Sequence, residues 1–512
     1  MNSFFLRKKD TIIDYLVLLG LSLFTYSELM INQLLNNYDG IWEGSFHIAG
    51  DWELSNGRWF WYYISKLRFG ITADPVVNTI ALALFVLGIM VFVNLMEVKS
   101  RAVIYAAGAA FICTPVLCIS LSYRHMAQTF GVAYFLSVLA IWLSIRIKRT
   151  WLAIAAGGLA LSCALGSYQA YLGVACVVTL AYFMKQLLSE ESVTDCLKKL
   201  IRPALTILTG GVLYIILLNI HLKAAHVEMA DYMGGSDYSL WTIVKFFPES
   251  FKGIYQIFYF SAKEGMFKFN RLQKFHISLV LLVMFIALYV FFFVKEHKKE
   301  WGKALCLAVS ILLIPAAAYA VKFITVDAPI SIQMTGGFFM VVPALLCALP
   351  LSFDEGSVKK WVAGAAVVVV AAFSYGGFYQ VQVDQSAMYE GKQAVLSLTD
   401  VVMDKVVDLD LLDPDYTYCF MGTPVGSRLY YIDGAAYNAN GYATFGIWWD
   451  GYNAEKSWKG VIQNYKYMNL TFVNEAEYAF FRENAEVRAM PAFPEEGSII
   501  KIGNYVIIKV SE

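Results

Sequence analysis

Residues 75–96 read PVVNTIALALFVLGIMVFVNLM, a stretch without a single charged side chain. A run of this length crosses a bilayer as one helix, because about 20 residues span the roughly 30 Å hydrocarbon core. Comparable runs recur along the chain, so we predict a polytopic α-helical membrane protein with about eleven transmembrane helices. They lie near residues 11–34, 75–96, 102–121, 127–145, 151–167, 170–188, 204–221, 276–295, 303–322, 332–351 and 361–379.

The composition of the whole chain favours the same class of protein. Of the 512 residues, 58% are hydrophobic and 16% are charged, and the mean hydropathy is +0.55, which is more apolar surface than a soluble core buries. The net charge of zero argues against nucleic-acid partners. The eight cysteines predict no disulfide framework, and no Cys/His cluster has metal-ligand spacing. The basic residues 1–9 lead into a first span that we expect to be retained.

Six groups of basic residues predict the orientation of the chain. An eleven-span count places all six groups on one face, which the positive-inside bias identifies as the cytoplasm. The N-terminus is then expected in the cytoplasm, and the chain after the last span outside it. The groups are Arg7/Lys8/Lys9, Lys99/Arg101, Arg146/Lys148/Arg149, Lys198/Lys199/Arg202, Lys295/Lys298/Lys299/Lys303 and Lys359/Lys360.

The spans divide the chain into two predicted domains. Residues 1–379 form a transmembrane domain, whose long connections outside the cytoplasm are the loops 35–74 and 222–275. Residues 380–512 are richer in acids, Gly and Asn and contain strand-like runs such as YVIIKV at 505–510. They predict a small extracytoplasmic soluble α/β domain.

The second long loop carries no evident chemistry. Apolar residues at helical spacing over 239–260 predict helices that lie in the membrane interface rather than cross it. His221, His226 and Asp231 have no metal spacing, so we expect them in a solvated loop. The chain also has no Walker loop and no GxGxxG motif, so a nucleotide substrate handled in the cytoplasm has no visible site.

The loop between the first two spans has a more informative composition. Residues 36–74 read NNYDGIWEGSFHIAGDWELSNGRWFWYYISKLRFGITAD. Acids, a fixed cation and aromatic rings together suit sugar and lipid-phosphate chemistry at a membrane surface. These side chains are Asp39, Glu43, Asp51, Glu53, Arg58, Trp42, Trp52, Trp59 and Trp61.

Three of the loop acids are candidates for catalysis. Asp39 is typical of a turn that ends a helix, but a carboxylate at the mouth of a membrane cavity is also a natural general base for a sugar hydroxyl. Asp51 and Glu53 share a face only in extended backbone, because they diverge by about 200° on a helix. A helical segment would instead align Asp51, Ser55 and Arg58, either as a salt bridge or as an arginine held for a phosphate.

The substrate-binding candidates are cations and sugar-binding side chains. Arg124 lies in a turn on the predicted outer face, where it would pair with a lipid phosphate or with Asp39 or Glu53. Tyr168 and Gln169 lie in a polar turn, and their side chains suit sugar hydroxyls. Lys322 is a weaker phosphate candidate. Trp59 is a candidate sugar platform, although tryptophans at this depth, with Trp52 and Trp61, more commonly form an interfacial belt.

Several motifs of the chain resemble one bacterial family. They are YDGIW at 38–42, AGDWELSNGRWFW at 49–61 and GSYQA at 166–170, with the closing stretch MPAFPEEGSII at 490–500. The chain is similar here to the serotype-converting, O-antigen-modifying membrane glucosyltransferases of the GtrII type, within the wider GT-C class. The similarity extends to the whole layout, with many spans, an acidic first outer loop and a terminal extracytoplasmic domain.

This resemblance implies a GT-C-like fold and a hexosyltransferase of the bacterial plasma or inner membrane. The donor would be a polyprenyl-phosphate sugar, with glucose as the sugar that the family implies, and the acceptor would be a cell-surface glycan. The implied partners are membrane lipids, with a polyprenyl-phosphate glycosyltransferase and a flippase acting upstream. In the GT-C class an acid of the first outer loop commonly serves as the base, and Asp39 matches that position best, with Glu53 next. Paired acids at the span end are missing, which favours transfer without a tightly bound cofactor or divalent metal.

Two other functions are open to the same sequence. A lipid-linked glycan transporter or flippase would show ionisable or helix-breaking residues at mid-span, whereas these spans are nearly free of charge. A non-catalytic membrane scaffold that displays the C-terminal domain would tolerate replacement of the loop acids.

Overall fold

The computed structural model describes residues 2–36, 41, 44–189, 192–231, 240–260, 279, 282–283, 285–290, 300–323, 331–351, 357–445 and 451–512. The helices that precede the chain midpoint are α1 (Asn2–Thr25), α2 (Ser27–Ile31), α3 (Asp51–Ser55), α4 (Trp59–Leu67), α5 (Val76–Leu95), α6 (Arg101–Ile112), α7 (Pro115–Ser122), α8 (Ala127–Arg146), α9 (Thr150–Ser167), α10 (Leu172–Leu187), α11 (Val193–Ala225) and α12 (Leu240–Phe260). Those that follow are α13 (Trp301–Ala318), α14 (Gly336–Ala348), α15 (Ser357–Asp408), α16 (Tyr452–Asn464), α17 (Glu475–Glu483) and α18 (Ala485–Ala489).

Seven helices in the described ranges are long and apolar enough to cross a membrane, namely α5, α8, α9, α10 with the 3₁₀ turn before it, α11, α13 and α15. The pair α6 and α7 makes an eighth candidate. These eight coincide with predicted spans, so the membrane class is confirmed. The predicted number of eleven spans is not confirmed. The first predicted span falls on α1 and the tenth on the short α14, and neither helix is among the seven. The eighth predicted span (276–295) lies mostly outside the described residues. The segment predicted to lie in the interface forms α12, which is not among the seven either.

The third predicted span is broken in the middle. Helices α6 and α7 meet at 52°, where Pro115 begins the second helix and lacks the N–H that would continue the first. The Phe111 carbonyl, which Pro115 leaves without its helical N–H partner, accepts a hydrogen bond from the Thr114 hydroxyl at 2.7 Å. The Tyr26 hydroxyl donates to the Ile112 carbonyl at 2.6 Å, with the Thr114 carbonyl also near at 3.1 Å. Side chains thus supply hydrogen bonds to backbone groups at the break, which would otherwise be costly in an apolar environment.

Small residues let the central helices approach closely. An added Cβ at Gly157 would lie 2.7 Å from the Ala140 carbonyl oxygen, and one at Gly131 would lie 2.9 Å from that of Ala81. These contacts pack α8 between α5 and α9. Such small-residue contacts are the usual basis of helix association in membranes, where lipid and side chains are equally apolar.

The helix α15 joins the two halves of the chain. It has 52 residues and is therefore roughly 78 Å long, and it runs without interruption across residue 380. Within its second half, Asp384 is fully buried and accepts hydrogen bonds from Asn440, Tyr442 and Gln380. These bonds hold the segment that contains Asn440 and Tyr442 against the helix.

The C-terminal part contains a four-stranded sheet of β1 (Thr417–Met421), β2 (Thr471–Phe472), β3 (Ile499–Ile502) and β4 (Tyr505–Lys509). The strand order is β2-β1-β4-β3. Strand β1 pairs in parallel with β2 and β4, and β3 pairs antiparallel with β4. The strand-like run at 505–510 is thus confirmed as β4, which supplies the buried centre of the sheet.

Glu455, on α16, is a carboxyl group buried in the core of this part. Its Oε2 accepts a hydrogen bond from the Phe420 N–H at 2.7 Å, while Oε1 is buried without a hydrogen-bond partner among the described residues. Burial raises the pKa of Glu455 well above its usual value. The native protein therefore keeps this proton at a pH where the unfolded chain has lost it. The resulting stability is full in acid and is lost as the pH rises through the native pKa.

We expect Glu455→Gln to flatten the decline of stability between about pH 5 and pH 8. This one group lowers the wild-type free energy of unfolding by up to about 1.4 kcal/mol per pH unit, whereas glutamine keeps an acceptor for the Phe420 N–H and needs no proton. Thermal unfolding of the detergent-solubilised protein at several pH values measures the effect. Glu496→Gln, at an exposed site, is the matched control, and a Glu455→Gln curve parallel to wild type would contradict the assignment.

Candidate functional site

The described part of the 36–74 loop closes on itself. Phe46 pairs with Ile71 in an isolated antiparallel bridge, and the His47 N–H donates to the Gly70 carbonyl at 2.8 Å. Helices α3 and α4 lie between these two lengths of chain. The loop is therefore a folded unit with its own helices and not an extended connector.

Glu53 is the buried acid of this unit, with 8% of its surface exposed. Its Oε2 accepts a hydrogen bond from the Gly50 N–H at 2.7 Å, which satisfies a free donor at the start of α3. Its Oε1 lies 3.4 Å from His47 Nε2. Burial acts to raise the pKa of Glu53, but the hydrogen bond and charge of His47 and the Gly50 N–H outweigh it, so the pKa lies below its usual value. Glu53 is thus an anion at neutral pH.

The alignment predicted for Asp51, Ser55 and Arg58 on one helix is wrong. Helix α3 ends at Ser55, and Gly57 adopts a φ of +80° before α4 begins. Asp51 is exposed in the first turn of α3, and within the described chain it makes no ion pair with Arg58. The left-handed turn at glycine is the physical reason, because it redirects the chain between the two residues.

Arg58 contacts aromatic rings, and within the described ranges no carboxylate forms an ion pair with it. Its guanidinium carbon lies 5.2 Å from the ring centre of Tyr168 and 5.9 Å from that of Trp61. Its Nε is buried and has no hydrogen-bond partner among the described residues. Cation–π contacts orient a guanidinium without neutralising its charge. The arrangement therefore leaves donors of Arg58 to an anion.

Trp61 is the centre of a ring cluster that includes two histidines. Its ring centre lies 5.7 Å from that of His47 and 6.3 Å from that of His125, and the two imidazoles are 4.5 Å apart. Contacts thus run without a gap from Glu53 through His47 and Trp61 to Arg58. Neither histidine was predicted as a site residue from the sequence, because they come from distant parts of the chain and no spacing pattern connects them.

Two of the loop tryptophans are buried in the protein, contrary to the predicted interfacial belt. Trp59 is 5% and Trp61 is 2% exposed, whereas Trp52 is 59% exposed. Trp59 fits closely against the turn after α9, where an added Cβ at Gly166 would lie 2.6 Å from its Nε1. Tertiary packing inside the loop unit, rather than the bilayer surface, accounts for their burial.

His221 is also placed differently from the prediction. It lies in α11, stacks on Trp59 at 4.9 Å between ring centres, and its Nε2 is 2.9 Å from the Tyr63 hydroxyl. It therefore helps to hold α4 against α11 rather than lying in a solvated loop. His226 and Asp231 are exposed, as predicted.

Gln169 fixes the turn between α3 and α4. Its Nε2 donates to the Asn56 carbonyl at 2.7 Å and lies 3.1 Å from the Tyr214 hydroxyl, which donates to the Gly57 carbonyl at 3.2 Å. The adjacent Tyr168 is 6% exposed and presents its ring to Arg58, as described above. The structure thus brings the predicted polar turn and the predicted loop together.

Arg124 is a buried residue, 6% exposed, that binds several segments of the protein. Its guanidinium donates to the Gly44 carbonyl at 3.2 Å, to Gln33 Oε1 at 3.4 Å and to the Tyr465 hydroxyl at 3.3 Å. Its Nε is 3.8 Å from Asp74. Among the described residues, the acid beside Arg124 is therefore Asp74 and not the predicted Glu53, while the other predicted partner, Asp39, lies outside the described residues.

Arg68 is a second loop cation that the sequence analysis missed. Its Nη2 donates to the His125 carbonyl at 2.7 Å, while Nε and Nη1 are buried without hydrogen-bond partners among the described residues. Burial lowers the pKa of Arg68 to about 10, so the side chain is still charged at neutral pH. Arg68 could have been selected by the same criterion as Arg124, because it too is a cation away from the predicted cytoplasmic face.

The other candidates are less closely defined. Asp39, Trp42 and Glu43 lie outside the described residues. Lys322 is partly buried in the short 3₁₀ helix Ala320–Phe323. In the ranges that the structure describes, no group of three His, Cys, Asp or Glu side chains is placed to hold a metal ion.

The fold and the site define an integral membrane protein with a buried acid, buried cationic side chains and aromatic rings in one loop unit. A family model described as glucosyl transferase GtrII matches residues 31–348. This match covers more than half of the chain, which therefore belongs to the GtrII glucosyltransferase family, and the protein is a glycosyltransferase. No curated protein and no solved structure matches the chain significantly. All the candidate residues named from the sequence fall inside the matched region.

We expect Gly57→Ala to destabilise the protein by about 1–3 kcal/mol. An added Cβ would lie 2.6 Å from Gln169 Nε2 and would also clash with the Tyr214 hydroxyl, in a backbone conformation that favours glycine. The melting temperature of the purified protein measures the loss. Gly50→Ala is the control in the same loop, because its added Cβ meets no atom within 4 Å. Equal melting temperatures for the two variants would refute the role of this turn.

Proposed function

We propose that the protein transfers a sugar, glucose in keeping with its family, from a polyprenyl-phosphate donor to a cell-surface glycan. The reaction would take place on the outer face of a bacterial plasma or inner membrane. That orientation rests on the six basic groups and the positive-inside bias. It puts the N-terminus in the cytoplasm and residues 380–512 outside it, with the 36–74 loop on the same side as the glycan.

The observation that carries this proposal is the environment of the Arg58 guanidinium. Arg58 Nε is buried and has no hydrogen-bond partner among the described residues, and the guanidinium lies near the rings of Tyr168 and Trp61, an environment that suits an anionic group of the substrate. The phosphodiester of the donor carries one negative charge, and the phosphate gains charge as the sugar leaves it. A fixed cation then stabilises the transition state more than the ground state, which is the condition for catalysis.

The proposed chemistry needs one base for the acceptor hydroxyl and one cation that stabilises the leaving phosphate. Asp39 takes the proton of the acceptor hydroxyl as its oxygen forms a bond to the anomeric carbon of the sugar. The bond from that carbon to the phosphate oxygen breaks, and its electron pair leaves with the polyprenyl phosphate beside Arg58. Because Arg58 supplies the positive charge at the phosphate, the proposed transfer needs no divalent metal.

The other candidates then take supporting roles. Glu53 contacts His47 and accepts a hydrogen bond from the Gly50 N–H. We therefore propose that it stabilises the fold of the loop and contributes negative charge, and that it does not transfer a proton. Trp59 and Gln169 pack and hydrogen-bond within the protein, so their assignment to the sugar, together with Tyr168, rests on the sequence argument alone. Arg124 is bound by protein groups, and Lys322 is a further phosphate candidate on the sequence argument alone.

We expect Arg58→Gln to raise the KM for polyprenyl-phosphate glucose by about tenfold and to lower kcat by about another tenfold. A hydrogen bond to a charged group is worth about 1.5–3 kcal/mol; the part of this loss that weakens binding of the donor raises KM, and the part that is lost only in the transition state lowers kcat. Arg58→Lys keeps the charge but not the planar contact with two rings, so we expect an intermediate effect. The assay is sugar transfer in purified membranes. Arg428→Gln, an exposed arginine of the C-terminal part, is the control, and unchanged kinetics in Arg58→Gln would exclude a phosphate role.

We expect Asp39→Asn to lower kcat by at least about a hundredfold, the usual contribution of a general base. Asp51→Asn, which removes an exposed acid from the same loop, should leave kcat within about twofold. Glu53→Gln should lower the melting temperature, because it removes the ion pair with His47. Wild-type turnover by a normally folded Asp39→Asn protein would remove Asp39 from the mechanism.

A further inference from the structure

The C-terminal part of the chain takes up residues of the 36–74 loop region into its own hydrophobic core. Leu35 is 1% and Ile41 is 3% exposed. Both belong to the buried cluster that contains Val395 of α15 and Trp458 and Val461 of α16. The chain is thus held on both sides of residues 36–40 by side chains that come more than 350 positions later in the sequence.

Asn464, at the end of α16, adds a directed polar contact to this packing. Its Nδ2 donates to the Ile41 carbonyl at 3.0 Å. Ile41 has a φ of 55°, a left-handed conformation that a β-branched residue adopts only when its surroundings impose it. Gly44 lies against the same amide, since an added Cβ there would be 3.1 Å from Asn464 Oδ1.

Tyr465, the next residue, contacts Arg124 and Lys392. Its hydroxyl accepts the hydrogen bond from Arg124 described above, and its ring centre is 5.1 Å from Lys392 Nζ. Lys392 in turn donates to the Asn32 carbonyl at 2.7 Å. Backbone carbonyls on both sides of residues 33–40 are therefore bound by side chains of the C-terminal part.

We propose that Asn464, supported by Tyr465, is a positioning residue for sugar transfer. The inference rests on the proposed function, in which the loop carries the catalytic acid. Asp39 stands two positions before Ile41, so a shift of Ile41 is transmitted to it along the chain. Neither Asn464 nor Tyr465 lies in the region matched by the family model, which ends at residue 348. The C-terminal part thus completes the site instead of being a separate appendage.

The test compares Asn464→Asp with wild type in sugar transfer from polyprenyl-phosphate glucose. Aspartate has the same shape but offers the Ile41 carbonyl no N–H donor. We expect kcat to fall by about tenfold to hundredfold, as misplacement by about 1 Å does, with the KM for the donor within about threefold because the contacts of Arg58 are untouched. Hydrogen exchange in a peptide that covers residues 41–47 should become faster. Asn453→Asp, the same change at an exposed position of α16, is the control.

The outcomes separate this inference from the function on which it rests. Equal kcat for Asn464→Asp and Asn453→Asp overturns the positioning role, and so does a loss of kcat that is matched by a large fall in melting temperature. If wild-type protein does not transfer sugar from this donor, the proposed function fails. Hydrogen exchange then decides the positioning role alone, since unchanged exchange at 41–47 overturns it and faster exchange supports it.

Discussion

The buried guanidinium of Arg124 is the contact on which the arrangement of the site depends. A charge in this position is tolerated only when its donors are used, and the donors of Arg124 point to four separate segments through Gln33, Gly44, Asp74 and Tyr465. One side chain thereby fixes the entry and exit of the 36–74 loop against the C-terminal part. The rest of the loop, with its ring cluster and its acid, is built on that frame.

The membrane class and the C-terminal strand at 505–510 could be predicted because both follow from local properties. A span is recognised by length and hydropathy alone, and a strand by β-branched residues in a short run. The place of Trp59 and Trp61 could not be predicted in this way. Tryptophan favours both the membrane interface and protein cores, and only the tertiary contacts with Gly166 and the histidines decide between them.

The site itself was predictable as a region but not as a geometry. The loop acids, Arg58 and the Tyr168–Gln169 turn were each selected by residue type, and the structure brings Glu53, Arg58 and this turn close together but leaves Asp51 exposed. The break at Gly57, which separates Asp51 from Arg58, was not foreseen, because glycine after a short helix is compatible with several backbone paths. The pairing of Glu53 with His47 likewise depends on how the loop closes on itself, which no periodicity encodes.

The length of α15 has a mechanical consequence. The helix starts in an apolar span and ends beside the sheet, and its second half carries Lys392 and Val395, which touch the chain around residues 32–41. Spans adjust their tilt to the thickness of the surrounding hydrocarbon. Because Lys392 lies roughly 50 Å along the helix, a change in tilt of about 3° about its start would displace Lys392 by about 3 Å. A change in lipid chain length that tilts this span would therefore also move the chain around residues 32–41.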